Sequence, residues 1–352
     1  MPKTFDAVLT DFEKKHGLTV GTPQKVTALT TGNLAIDWQT GIGGIPRGRI
    51  TELYGYEASG KTTTALMTAA NLQRLIKDSG SDERIVYLDY EHALDVEYAS
   101  NLGIDFDHPS FVPLQPNNLE QGASAALQML ATGKVPLVVF DSVAAMAPKR
   151  HKDGDFDQAT IQMHRAKLIS ALCVSSLDTL HSTDCAMVFV NHRTEAIEMS
   201  GRPGLPPKTT TPGGRGLKFY ASLRLEFDVM GNVRDKVDDF ITGEEASQNV
   251  GTRVTVRCIK NKVAEPGKQV ELRNRYGRGF DNAWSAMQVL IGHGLIIKAG
   301  AWMNLSAKKT PELTTEEKLQ FHGENQFFER VENDPEWTAK LIDIAVRTLA
   351  GE

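Results

Sequence analysis

The chain has 352 residues, 41% hydrophobic and 24% charged, with a formal net charge of −5 at pH 7. That balance predicts a soluble globular protein with one large core and one or two satellites, and it speaks against a histone-like nucleic-acid binder. Cys173, Cys185 and Cys258 stand far apart without a C-x-x-C pair, so buried free thiols are expected rather than a metal site or disulfide framework. Neither a signal-peptide core nor a bilayer-length apolar stretch is present, so a cytoplasmic chain with no membrane contact is expected.

Phe5, Val8, Leu9 and Phe12 share one face of a short helix ending near Gly17. A helix that short cannot bury the face alone and must dock on its own core or on a neighbour. Beyond Gly21-Thr22-Pro23, strands alternate with helices. Strands are predicted at Ile50–Tyr54, Ile85–Asp89, Leu137–Asp141, Met187–Asn191, Leu223–Phe227 and Val254–Ile259, and helices at Lys61–Lys77, Leu119–Thr132 and Thr160–Thr179. This alternation predicts an α/β fold with a mostly parallel sheet flanked by helices. Residues 150–158 and 194–216 interrupt it as polar or glycine- and proline-rich loops, of a length that in a compact domain is usually functional or disordered. Helical runs at Ala283–Gly292, Glu316–Phe321 and Glu336–Leu349 predict a small α-rich C-terminal domain. The expected divisions are 1–30 (N-terminal helix and linker), 31–280 (core) and 281–352 (C-terminal domain).

Residues 55–62, Gly-Tyr-Glu-Ala-Ser-Gly-Lys-Thr, form a complete G-x-x-x-x-G-K-T phosphate loop between a strand and a helix. Gly55 and Gly60 permit the backbone to turn its N–H groups inward, and the helix N-terminus adds positive potential. Gly55, Glu57, Ala58, Ser59, Gly60, Lys61, Thr62 and Thr63 are the candidate nucleotide-binding residues, with Lys61 reaching the β/γ-phosphates and the Thr62 hydroxyl holding Mg²⁺. Asp141, ending the apolar strand Leu137–Phe140, is the second candidate Mg²⁺ group. Hydrolysis also needs a base. Glu91, just past the strand Ile85–Asp89, is the candidate, although one Glu there would by itself more often be a helix-cap acid.

Together these segments resemble the bacterial RecA recombinase family from about Phe5 onward. The resemblance is carried by residues 31–37 (Thr-Gly-Asn-Leu-Ala-Ile-Asp), 43–50, the phosphate loop, 89–95 (Asp-Tyr-Glu-His-Ala-Leu-Asp), 141–145, 209–214, 217–225, 260–262 (Lys-Asn-Lys) and 298–302. It implies ATP and Mg²⁺ as cofactors, Glu91 as catalytic glutamate, and adenine contacts from Asp95 and Tyr98. It further implies that Lys260 and Lys262 reach the γ-phosphate of a nucleotide on the adjacent subunit; without the family they would read as a solvated edge-strand pair. Where the bacterial pattern has a γ-phosphate-sensing glutamine this chain has His192, as recombinases of T4-like phages do. Histidine changes charge near neutral pH, so activity is expected to vary between about pH 6 and 8.

By the same resemblance, residues 150–158 and 193–212 match the two DNA-binding loops. Arg202, Lys208 and Arg215 can neutralise phosphates, Gly213 and Gly214 let backbone N–H groups approach them, and Ile197 and Met199 are apolar residues suited to wedging between bases. Local packing is the competing reading for Ile197, and Glu195, Glu198 and residues 203–207 depart from the bacterial pattern. Arg165 and Lys167 read equally as phosphate contacts or a solvated helix face. The implied activity is DNA-dependent ATP hydrolysis coupled to strand exchange in recombination, repair and the response to DNA damage. A helical homo-oligomeric filament on single-stranded DNA and pairing with double-stranded DNA are also implied. Mediator, single-strand-binding and repressor-cleavage partners are candidates. A ring-forming motor on the same core and a nucleotide-gated regulator are the alternatives.

Overall fold

The computed structural model describes residues 4–16, 25–149, 158–195, 209–238, 245–305, 310–313 and 320–351. It opens with α1 (Phe5–His16), which leaves Phe5 79% exposed, followed by the short pair β1 (Ala28–Leu29) and β2 (Ile45–Pro46) flanking α2 (Leu34–Thr40). Then come β3 (Ile50–Gly55), α3 (Lys61–Ser79), β4 (Ile85–Asp89), α4 (Val96–Asn101), β5 (Phe111–Leu114), α5 (Leu119–Leu130), β6 (Leu137–Asp141), α6 (Gln158–Thr183) and β7 (Ala186–His192). β8 (Thr194–Glu195) and β9 (Thr209–Thr210) pair with each other before α7 (Gly214–Tyr220). A long hairpin, β10 (Leu223–Asp238) and β11 (Glu245–Asn261), leads into β12 (Gln269–Arg275) and β13 (Gly279–Phe280).

Nine of these strands form one sheet in the order β13-β12-β11-β10-β3-β7-β6-β4-β5. The six from β10 to β5 run parallel, and β11, β12 and β13 extend the sheet antiparallel. Alternating side chains show that both faces are covered. Val139 and Val188 pack with Leu66 and Ile76 of α3, whereas Val138, Phe140 and Phe189 pack with Ile169 and Leu172 of α6. All five residues of β6 are buried, and the Phe140 and Phe189 rings stack 4.7 Å apart. Parallel strands direct their carboxyl ends to one edge, where β3, β4, β6 and β7 deliver Gly55, Asp89, Asp141 and His192.

The C-terminal residues form α8 (Asn282–Gly292), a three-stranded sheet of β14 (Ile296–Ala299), β15 (Trp302–Leu305) and β16 (Gln320–His322), then α9 (Gly323–Asn333) and α10 (Pro335–Ala350). They share a core of Trp284, Met287, Leu290, Phe327, Trp337 and Leu341. The structure corrects the last two residues of the helix expected over Glu316–Phe321. Phe321 lies on β16, buried between exposed Gln320 and His322 and opposite Met303, a strand alternation that the helical reading mistook; residues 314–319 lie outside the described residues. Among the described residues no helix is long and apolar enough to cross a membrane.

Candidate nucleotide site and its surroundings

At Gly55 the chain leaves the sheet pressed against β10, where a Cβ would stand 2.1 Å from the Phe227 carbonyl oxygen. Gly60 has φ +88°, and a Cβ there would meet the Phe280 ring at 2.6 Å. Two glycines are therefore required by close approach and by backbone conformation. α3 starts at Lys61 with no side-chain cap, so its first amides are left to face the loop. The Lys61 ammonium is buried and donates to the Tyr56 carbonyl at 2.5 Å and the Ser59 hydroxyl at 3.3 Å. Burial pulls its pKa down to about 8, against the opposing charges of Asp141, Glu91 and Glu57.

Thr62 Oγ1 donates to Asp141 Oδ2 at 2.9 Å, and the Tyr87 hydroxyl donates to the same oxygen at 2.6 Å. Burial raises the Asp141 carboxyl above its ordinary value, and those two hydrogen bonds oppose the rise. Asp89 shapes the turn beyond β4, accepting the backbone N–H groups of Glu91 and Leu94 at 3.1 Å each. This turn presents Glu91, whose Oε1 is bound by the Ser142 hydroxyl and lies 3.1 Å from His192 Nε2. Burial would raise the Glu91 carboxyl, yet the hydrogen bonds from Ser142 and His192, with the charges of His192 and Lys61, hold it below its ordinary value. Residues 57–63, Glu91, Asp141, Val190, His192, Asn274 and Tyr276 enclose a cavity of about 430 Å³. An uncapped helix start and a buried ammonium suit a phosphate chain, and a hydroxyl beside a carboxylate suits a hard divalent cation.

A model of the RecA N-terminal domain matches residues 3–281. The chain belongs to the RecA family. It is 38% identical over 314 residues to Protein RecA of Streptococcus mutans, an alignment spanning 87% of this chain and 77% of that protein. Protein RecA of Streptococcus sanguinis is 35% identical over 97% of this chain and 86% of its own length. Protein RecA of Streptomyces venezuelae is 36% identical over 85% and 75%, respectively. As a RecA-family member the chain is a DNA-dependent ATPase of recombination and repair.

Other expected site residues of this RecA-family chain lie outside the cavity. Asp95 is the exposed N-cap of α4, accepting the Tyr98 N–H at 2.9 Å, while the Tyr98 hydroxyl lies 2.8 Å from that of Thr63. Lys260 donates to the carbonyls of Lys218 at 2.7 Å and Phe219 at 2.8 Å, and Lys262 reaches the latter at 3.4 Å. Lys260 pairs with Arg224, which pairs with Glu52, whereas the loop side of β3 at Gly55 pairs with Phe227. The two lysines thus occupy the sheet edge opposite their own phosphate loop. Gly213 (φ +93°) caps α7; Gly214 (φ +72°) lies so close to α6 that a Cβ would stand 2.7 Å from Ala166; and Arg215 is exposed. Ile197, Met199, Arg202 and Lys208 lie outside the described residues, as does nearly all of 150–158.

Sequence reasoning missed Tyr87, Asp89 and Ser142, which position Asp141 and Glu91, and it missed Asn274 and Tyr276 in the cavity wall. Asp89 and Ser142 lie in segments that carry the family resemblance, and Tyr276-Gly277 is a turn signal after a strand, but nothing in the sequence marks Tyr87 or Asn274.

The lowered Lys61 pKa sets a pH dependence. Deprotonation near pH 8 in the free protein removes the charge that a triphosphate needs, so kcat/KM should fall with an alkaline limb near that value. Bound phosphates favour the ammonium, moving the limb in kcat to higher pH. Initial ATPase rates across the alkaline range check this, and a limb in kcat/KM only above the ordinary lysine value of 10.5 would contradict it.

Proposed function

We propose that this chain is an ATP-dependent recombinase that assembles as a helical filament on single-stranded DNA and pairs it with homologous duplex. ATP sits between protomers. Lys61 and the loop N–H groups hold its phosphates, the Thr62 hydroxyl and Asp141 hold Mg²⁺, and Glu91 accepts the proton of the attacking water. Bound Mg²⁺ supplies charge neutralisation of the phosphate oxygens. The observation that carries this reading is the division of cations: Lys61 lies in the cavity, while Lys260 and Lys262 lie at the opposite sheet edge. Two cations at that edge, held by the Lys218 and Phe219 carbonyls, support a role at a nucleotide held by another protomer. A contact repeated head to tail that does not close generates a helix.

His192 acts as the γ-phosphate sensor, as in T4-like phage recombinases. Its contact with Glu91 at 3.1 Å supports this, as does the Asn191 side chain, which accepts the His192 N–H and donates to the Pro212 carbonyl, both at 2.9 Å. The route runs from the cavity to the end of the second DNA loop. That loop, with Ile197, Met199, Arg202, Lys208, Gly213, Gly214 and Arg215, grips DNA. Tyr98 and Asp95 lie on the base side of the nucleotide, and the exposed Tyr276 ring at the rim offers the base a stacking surface. Residues 1–30 dock on the neighbour in the filament, 31–280 form the ATPase core, and 281–352 a C-terminal domain. Mediator, single-strand-binding and repressor-cleavage partners act on the assembled filament, in the cytoplasm.

Mixing two inactive chains tests the shared site. Lys61→Ala keeps the lysines donated in trans, and Lys260→Ala/Lys262→Ala keeps the phosphate loop. In a randomly mixed filament about a quarter of interfaces join two intact halves. DNA-stimulated ATPase should therefore reappear on mixing, at roughly that fraction of wild type for additive interfaces. Full activity of the double lysine variant alone would overturn the shared site, and absence of any stimulation of wild type by single-stranded DNA would overturn the recombinase reading.

A further inference from the structure

We infer that Asn274 reads the sugar of the bound nucleotide, its side-chain oxygen accepting a hydrogen bond from a ribose hydroxyl. The inference rests on the nucleotide reading of the cavity and adds a specificity residue to it. Asn274 lines that cavity, and its Oδ1 is buried with no hydrogen-bond partner among the described residues. Water does not reach that oxygen in the empty protein, and a half-turn of the side-chain amide brings it to the cavity, where a donor satisfies it as buried polar groups nearly always are. The backbone cannot supply one by rearranging, since Asn274 is laddered between Thr252 on β11 and Phe280 on β13.

Its position along the cavity selects the sugar. Asn274 Nδ2 lies 3.8 Å from where a Cβ on Gly60 would stand, beside the loop that takes the phosphates. Tyr276, two residues further and 59% exposed, stands at the rim where a base can stack. A nucleotide laid from Gly60 to Tyr276 brings its ribose past Asn274. The flanking residues hold the side chain in place. The Arg273 guanidinium lies 3.8 Å from the Trp284 ring centre and 4.4 Å from that of Phe328, and Arg275 is ion-paired with Asp235 and Asp281. Successive strand residues point to opposite sides, so these clamps brace β12 while Asn274 faces the cavity.

Calorimetric titration of the full chain with Mg²⁺ and ADP, 2′-deoxy-ADP, 3′-deoxy-ADP or 2′,3′-dideoxy-ADP tests this without hydrolysis. Wild type should bind ADP about five- to tenfold more tightly than the dideoxy analogue, and the two monodeoxy compounds identify the hydroxyl. Asn274→Leu should bind all four within about twofold of one another, at the wild-type affinity for the dideoxy compound. Equal binding of ADP and dideoxy-ADP by wild type would overturn the sugar contact, as would a preference retained in Asn274→Leu. The wild-type comparison holds even if the variant folds poorly. Failure of wild type to bind any of the four would instead overturn the nucleotide reading, and this inference with it.

Discussion

Glu91→Gln should lower kcat for DNA-stimulated ATP hydrolysis about 10²–10⁴-fold while leaving nucleotide affinity within a few-fold. Glutamine has nearly the same shape and retains an oxygen for the Ser142 hydroxyl or for His192, so the cavity is preserved. What disappears is the group able to take a proton from water. Because the wild-type carboxyl is held below its ordinary value, it is ionised throughout the neutral range and ready to act as a base. Its protonation should therefore add no acid limb near neutral pH. An interaction made only in the transition state lowers kcat and kcat/KM together, which separates this role from substrate holding. On the proposed reading, in which hydrolysis resets the interface, filaments of the variant should persist in ATP. Turnover within about tenfold of wild type would remove Glu91 as the base.

Local chemistry makes the phosphate loop and the strand ends readable from the order of residues. The predicted bounds of Ile85–Asp89 and Leu137–Asp141 coincide with β4 and β6, because apolar runs ending in an acid mark buried parallel strands. Features that depend on strand order are not readable in this way. Tyr87 reaches Asp141, 54 positions away, only because β4 lies beside β6. Asn274 enters the cavity because β12 folds back along β11, and the location of Lys260 opposite the loop follows from the same antiparallel extension. The hairpin β10–β11 outruns the predicted Leu223–Phe227 and Val254–Ile259, since its outer part is largely polar, with Val233 and Thr252 buried, and it continues through ladder pairing. Phe321 is misread for a different reason: three residues of strand carry too little alternation to outweigh neighbouring helix formers.

Lys61→Ala should abolish nucleotide-dependent function, lowering kcat/KM for ATP at least ~10²–10³-fold, without weakening the empty protein. The two halves of this expectation have one cause. A buried ammonium bound only to a carbonyl and a hydroxyl is poorly compensated for lost water, and its pKa falls from 10.5 to about 8. The folded state therefore binds this proton less tightly than the unfolded state does. Holding the charge at pH 7 costs the fold on the order of 3 kcal/mol, a penalty fully present below pH 8 that fades as pH rises toward 10.5. A triphosphate supplies the compensation that the protein withholds, so the same burial strengthens binding. Alanine removes the penalty and the binding together. Thermal unfolding should show a melting temperature equal to or above wild type without nucleotide, and loss of the rise that wild type shows with Mg²⁺ and ATP. A variant less stable when empty, yet still stabilised by ATP to the wild-type extent, would mean that Lys61 supports the loop rather than the phosphates.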